Sequence, residues 1–327
     1  MNERVKQTDS ISQVRNSRQI NVVLRHPEQI PMHLPMEEDS AFSNKLHQIQ
    51  GIFSEMIKEL DRMVGMDHVK DLIYEIYALQ QIGQYRAQAG LKADAQVYHM
   101  VFKGNPGTGK TTVARILARL FQSMNVLSKG HLIEVERADL VGEYIGHTAL
   151  KTRELVKKAL GGILFIDEAY SLARGGEKDF GREAIDCLVK SMEDYKNQFV
   201  LILAGYPEEM DYFLLMNPGL PSRFPIQLEF TDYSVDQLMQ IAELMIKERQ
   251  YVFAPQAEVK IRQHLTLEKL RRIEGFSNAR FVRNLLEQAI RQQAVRLLHQ
   301  TMAVPTKQDL MLIRTDDLRW DKKKTTV

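Results

Sequence analysis

Cysteine, tryptophan, long apolar runs and an excess of either charge are all scarce in this chain, and each scarcity excludes something. Cys187 is the only cysteine. No disulfide can form within the chain, which fits a reducing, cytosolic compartment. Cys187 falls in a stretch, residues 182–194, that reads as a helix, where a thiol is more readily a packing group than a nucleophile. The opening residues, MNERVKQTDS, lack the apolar centre of a signal peptide. The most apolar stretches, such as residues 199–204, are far too short to span a bilayer. The expectation is a soluble, cytoplasmic protein with no membrane partner. Lysine and arginine total 44 against 42 acidic residues, a net charge of +2. That balance disfavours an electrostatic grip on nucleic acid as the main business. Two motifs are absent as well: the N-K-x-D guanine signature and the zinc-binding H-E-x-x-H.

What is present begins with length. A chain of 327 residues is ample for two domains and a buried core. Residues 1–45 are polar and irregular; residues 19–24 could form a short strand, and Pro31 and Pro35 punctuate a linker. From Phe42 the apolar spacing becomes helical, through Leu46, Ile49, Ile52, Phe53, Met56, Ile57 and Leu60. A second helix is predicted over residues 67–88, ended by Gly90. Short apolar runs then follow at residues 97–102, 131–136, 163–166, 199–204 and 226–230, separated by helical stretches. Buried strands alternating with amphipathic helices predict a five-stranded parallel sheet covered on both faces. After residue 232 the chain reads as helical throughout. Val235, Leu238, Ile241, Ala242 and Met245 make one apolar stripe, Val259, Ile261 and Leu265 a second, and Phe281, Val282, Leu285, Leu286, Ala289 and Ile290 a third. The expected division is a polar arm at 1–45, an α/β domain with leading helices at 46–232, and a small helical domain at 233–327.

The run Gly104-Asn105-Pro106-Gly107-Thr108-Gly109-Lys110-Thr111 matches G-x-x-x-x-G-K-[ST]. It follows a predicted strand and opens a predicted helix, the setting in which backbone N–H groups and a helix dipole converge on phosphate. Lys110 would bridge the β- and γ-phosphates of a nucleotide, and the Thr111 hydroxyl would join the shell of a Mg²⁺ ion. Further along, the strand at residues 163–166 runs directly into Asp167-Glu168. Two carboxylates at the end of a buried strand need a partner, and a metal–nucleotide complex is one. Asp167 would hold Mg²⁺ through its waters, and Glu168 would serve as general base for an attacking water. Without the guanine signature, ATP is the expected nucleotide.

These residues resemble those of the AAA+ ATPases: GNPGTGKTT, then ILFIDEAY, then NPGLPSRF, in that order. The stretches MNVLSKGHLIEVERADLVGEYIGHT and SLARGGEKDFG are similar to the stage V sporulation protein K group, kin of the red-type rubisco activases. The likeness runs from about residue 50 to 318 and does not cover the first 45 well. It implies a P-loop α/β fold with a helical lid, and an ATP-hydrolysing homo-oligomer, most often a hexameric ring, that remodels a client protein. By the same resemblance the nucleotide contacts extend to Thr112. Val64-Gly65 lies where the adenine pocket is lined, Arg223 matches an arginine finger aimed at a neighbouring subunit, and Arg280 matches the sensor-2 arginine of the lid. Either arginine alone reads equally well as a solvated or salt-bridged side chain. Tyr144, Ile145 and Gly146 resemble the pore loop of ring-shaped remodellers; the lesser alternative is that Tyr144 and Ile145 simply pack under the loop. Many relatives place an asparagine or threonine after the fourth strand; here that region reads Leu203-Ala204-Gly205-Tyr206-Pro207, leaving Tyr206 as the nearest substitute. Two other classes stay open: a nucleic-acid AAA+ motor, and a nucleotide-dependent switch or small-molecule kinase. Neither the client nor the role of residues 1–45 is legible.

Overall fold

The computed structural model describes residues 58–92, 96–144, 146–175, 179–217, 219–271, 275–300 and 304–320. The candidate strand at 19–24 and most of the first predicted helix lie outside them; of that helix, residues 58–61 are helical and Leu60 is buried. Helix α1, Asp67–Gln88, follows.

Five parallel strands form the sheet, in the order β2-β3-β4-β1-β5. They are β1 (Met100–Gly104), β2 (Leu132–Val135), β3 (Ile163–Ile166), β4 (Val200–Gly205) and β5 (Ile226–Phe230). Strands β1, β3 and β4 are buried along their whole length. That is why their sequences read as unbroken apolar runs rather than as alternation. The two-residue period still decides which core each side chain joins. Met100, Phe102, Ile163 and Phe165 enter one cluster, whereas Val101, Leu164 and Ile166 enter the other. Strand β1 is shorter than its predicted run: Val97 is 41% exposed and precedes the strand. Lys103, buried in β1, finds its partner in Asp211, whose Oδ1 lies 2.6 Å from Nζ.

Helices cover both faces. On the first lie α1 and α2 (Lys110–Ser123), with Val113, Ile116, Leu117, Leu120 and Phe121 buried. On the second are α3 (Arg137–Leu140), α4 (His147–Ala159), α5 (Gly181–Asp194) and α6 (Pro207–Met216). Cys187 is half-buried in α5, its Sγ 3.7 Å from the Ala149 carbonyl of α4, and burial raises its pKa.

The C-terminal part contains α7 (Val235–Glu248), α8 (Pro255–Arg271), α9 (Asn278–Gln300) and α10 (Lys307–Met311). Helix α7 begins with a capping box in which Ser234 and Gln237 satisfy each other's backbone amides. Two departures from the predicted pattern occur here. Val252–Phe253 (β6) and Leu312–Ile313 (β7) pair as a parallel ribbon, so the region is not purely helical. Val259 is 57% exposed; the buried stripe of α8 is Ala257, Ile261 and Leu265, at four-residue spacing. Arg296 and Asp317 form a buried, two-pronged ion pair at 2.7 and 2.9 Å that fastens α9 to the turn after β7. Among the described residues no helix is long and apolar enough to cross a membrane.

Candidate nucleotide site

The loop between β1 and α2 is shaped by what a side chain would obstruct. Gly107 has φ +71°, and a Cβ there would stand 2.3 Å from the Ser277 carbonyl oxygen and 2.7 Å from the Arg280 nitrogen. Gly109, the residue before α2, has φ +100°, and its Cβ would meet the Met66 side chain at 2.4 Å. Backbone conformation calls for glycine at both positions, and at Gly107 so does the closeness of the lid backbone. Thr108 Oγ1 donates to the Asn105 carbonyl (2.8 Å), closing the turn. Lys110 begins α2 and donates to the carbonyls of Gly104 (2.6 Å) and Asn105 (3.0 Å). Burial lowers its pKa, opposed by the nearby Asp167 carboxylate.

The acid pair sits at the end of β3. The Asp167 amide is held by the Val135 carbonyl of β2 (3.0 Å), and its Oδ1 accepts the Glu168 amide (3.0 Å). Glu168 adopts φ +47°, ψ +43°, a left-handed conformation uncommon for a residue with a side chain. Such local strain clusters at functional sites. The 3₁₀ turn that follows, Ala169–Ala173, is fixed by Arg137, which donates to Ser171 O (2.6 Å) and to Asp179 Oδ1 (2.5 Å).

Between the loop, the acid pair and the helical region lies a cleft of about 620 Å³, within the range of small-molecule sites. Gly104, Pro106, Gly107, Gly109, Lys110, Thr111, Thr112, Asp167, Glu168, Val64 and Arg280 all line it. Asn105 and Thr108 stand behind the loop instead, the Asn105 amide donating to the Asp232 carboxylate (3.0 and 3.1 Å). Gly65 is displaced too: its Cβ position faces the Gln237 side chain of α7, at 2.9 Å. The oxygen-bearing residues that line the cleft include Thr111, Asp167 and Glu168, and of these the Thr111 hydroxyl and the Asp167 carboxylate are the expected metal ligands. Among the described residues no group of three or more His, Cys, Asp or Glu could hold a metal ion. Two protein oxygens completed by phosphate and water is the arrangement that suits Mg²⁺.

Arg223 lies outside this cleft, donating to Glu193 (2.5 Å) and to the Gly219 carbonyl (2.7 Å). Tyr144 is 65% exposed, its ring edge-on to that of His147 at 5.4 Å. Gly146, at φ +82°, precedes α4, and Ile145 lies outside the described residues. At the end of β4 a Cβ on Gly205 would stand 2.6 Å from the Tyr170 ring, so that position admits no larger residue, and Tyr206 takes the adjoining place on the cleft wall.

Several cleft residues carry no motif and escape sequence reading: Met63, Arg115, Glu134, Tyr233 and Arg283. Arg115 and Glu134 pair with each other at 3.0 Å across α2 and β2. The resemblance picks out Arg280 but not Asn278 two residues before it, which is fully buried.

Comparison with known proteins bears on the whole arrangement. Residues 100–232 match the ATPase family associated with various cellular activities (AAA), and residues 234–327 match the AAA lid domain. The chain is 58% identical over 306 residues to "Stage V sporulation protein K" of Bacillus subtilis (strain 168), covering 93% of this chain and 94% of that one. So long a match extends into the first 45 residues, further than the sequence motifs reach. A chloroplastic "Ribulose bisphosphate carboxylase/oxygenase activase" of Cyanidioschyzon merolae (strain NIES-3377 / 10D) is 44% identical over 277 residues, covering 84% and 92% of the two chains. Among solved structures, the FIGL-1 AAA domain superposes with a TM-score of 0.53 at 17% identity, covering 78% of this chain and 79% of that one, a likeness of fold alone. The protein is a member of the AAA family, an ATP-hydrolysing enzyme built from a five-stranded parallel sheet and a lid.

Proposed function

We propose that this ATPase couples ATP hydrolysis to the remodelling of a client protein, as a ring-shaped homo-oligomer of six subunits in the cytoplasm, in the course of spore maturation. The observation that carries the reading is the gathering of Lys110, Thr111, Asp167, Glu168 and Arg280 around one cleft between the sheet and the lid. The chain divides accordingly into an arm at 1–45, a nucleotide-binding domain at 46–232 and a lid at 233–327.

In this reading ATP lies with its phosphates over residues 104–112 and its adenine beside Val64. Lys110 exchanges its loop carbonyls for phosphate oxygens. Mg²⁺, held by Thr111 and by Asp167 through water, would neutralise charge developing between the β- and γ-phosphates. Glu168, set by its constrained backbone, takes the proton of the attacking water. Tyr206, on the cleft wall, is the residue assigned to orient this water, and Arg280 is assigned to bring the lid to the phosphates. Arg223 is paired with Glu193 and is not among the residues lining its own cleft, which suits service to a neighbour's site. Tyr144, exposed ahead of α4, offers sequence-tolerant aromatic contact area to a polypeptide, with Ile145 and Gly146 as the other residues of the pore motif. The sporulation setting rests on the 58% identity to the Bacillus subtilis protein. The 44% identity to a rubisco activase supports a second reading, in which the client is a carboxylase.

The test is a pair of variants. Lys110→Ala is expected to lose nucleotide binding. Glu168→Gln is expected to bind ATP with near-normal affinity while turnover falls about 100-fold or more. Normal turnover in Glu168→Gln would remove Glu168 as the base. The same variant, loaded with ATP, should retain its client for identification by mass spectrometry.

A further inference from the structure

The phosphate loop is held from behind by the lid and by the two residues leading into it. Three successive carbonyls of the loop accept hydrogen bonds from that side. Pro106 O accepts from Asn278 Nδ2 (3.4 Å), Gly107 O from the Ala279 amide (3.1 Å), and Thr108 O from the Tyr233 hydroxyl (3.1 Å). In a planar trans peptide the carbonyl and the following N–H point in opposite directions. Fixing these three carbonyls outward therefore fixes the amides of Gly107, Thr108 and Gly109 toward the cleft.

The groups that do the holding are themselves tied together. Asp232 accepts from Asn278 Nδ2 (2.7 Å) and from Asn105 Nδ2 (3.0 and 3.1 Å). Asn278 Oδ1 accepts the Tyr233 amide (3.0 Å), and its Nδ2 also donates to Phe276 O (3.0 Å), so that its two hydrogens are shared among three acceptors, with Pro106 O the most distant. Asn278 is 0% exposed and adopts φ +42°, a region asparagine tolerates better than most residues. A buried amide with this many partners leaves little slack in the loop's position.

We infer that Tyr233 and Asn278 are positioning residues for the phosphate cradle, aiming its amides through the carbonyls behind them, so that docking of the lid and binding of phosphate are one coupled event. By linkage, whatever docking contributes to phosphate affinity, bound phosphate returns to docking. The inference rests on residues 104–111 being the phosphate cradle.

The experiment uses the full chain and two ligands, ADP and adenosine, each displacing a fluorescent ADP derivative. Tyr233→Phe removes one hydroxyl and keeps the ring; Asn278→Ala removes the amide hub. Losing one such bond is expected to weaken ADP ~5–30-fold while adenosine affinity stays within about two-fold. Unchanged ADP affinity in Tyr233→Phe would overturn the inference, as would an equal loss for both ligands, the mark of a merely damaged fold. Should Asn278→Ala fail to fold, Tyr233→Phe decides alone. If the wild-type chain itself shows no preference for ADP over adenosine, the cradle assignment falls, and this inference with it; a strong preference that Tyr233→Phe leaves intact refutes the inference alone.

Discussion

His99, at the head of β1, is a histidine whose chemistry is suppressed by its surroundings. Its Nδ1 accepts the Leu201 amide (3.0 Å), and the rings of Phe199 and Phe224 lie 5.6 and 6.1 Å away. Burial lowers its pKa from 6.5 to about 4. Between those values the unfolded chain takes up a proton that the folded chain refuses. Stability from this group is therefore complete above pH 6.5 and is lost as the pH falls toward 4. By pH 4.5 the loss is expected to reach about 2–3 kcal/mol. Urea unfolding at pH 7 and 4.5 would measure it, with His99→Gln as reference, since glutamine can accept the same amide without titrating. Equal pH dependence in the two proteins would show that His99 contributes nothing.

At the level of elements, the loop before α4 contrasts with the loop before α2. The phosphate loop is tied by hydrogen bonds to the lid and to Tyr233, whereas Tyr144 sets its ring edge-on to His147 and is 65% exposed. If it grips a client, Tyr144→Ala should leave ATP turnover close to that of the parent and remove client remodelling, while Tyr144→Phe keeps both; unimpaired remodelling in the alanine variant would refute the grip. The two loops also differ in how they could be read. Gly104 to Thr111 is legible because the demands on it are local: two glycines for conformation, a lysine and a threonine for phosphate and metal. The acid pair is legible because charge at the end of a buried strand needs a reason. Asp232 and Asn278 are not, because each is an ordinary polar residue until the fold brings it to the other. The ribbon of β6 and β7 has two residues per strand, too few for any alternation to register. Val259 misleads because an apolar residue is counted wherever it falls, whereas α8 turns it to solvent.

For the molecule as a whole, the informative residue is the one left out of its own cleft. Arg223 follows α6, and its guanidinium rests on Glu193 of α5 at the surface. In the proposed ring it would complete the site of an adjacent subunit. Arg223→Ala is then expected to bind ATP but hydrolyse it poorly. Mixing it with Lys110→Ala subunits should restore part of the activity, because a bound nucleotide in the first can meet an intact arginine from the second. Turnover by mixtures no greater than the sum of the two alone would count against a shared site. Fold class was readable at this scale from strand and helix alternation, and nucleotide chemistry from the motifs at residues 104–111 and 167–168; the client is not. One further property follows from the packing of Cys187 against Ala149. A sole thiol, half-buried between α5 and α4, is a built-in probe: its alkylation rate, compared with and without ATP turnover, would report any change in the packing of those two helices.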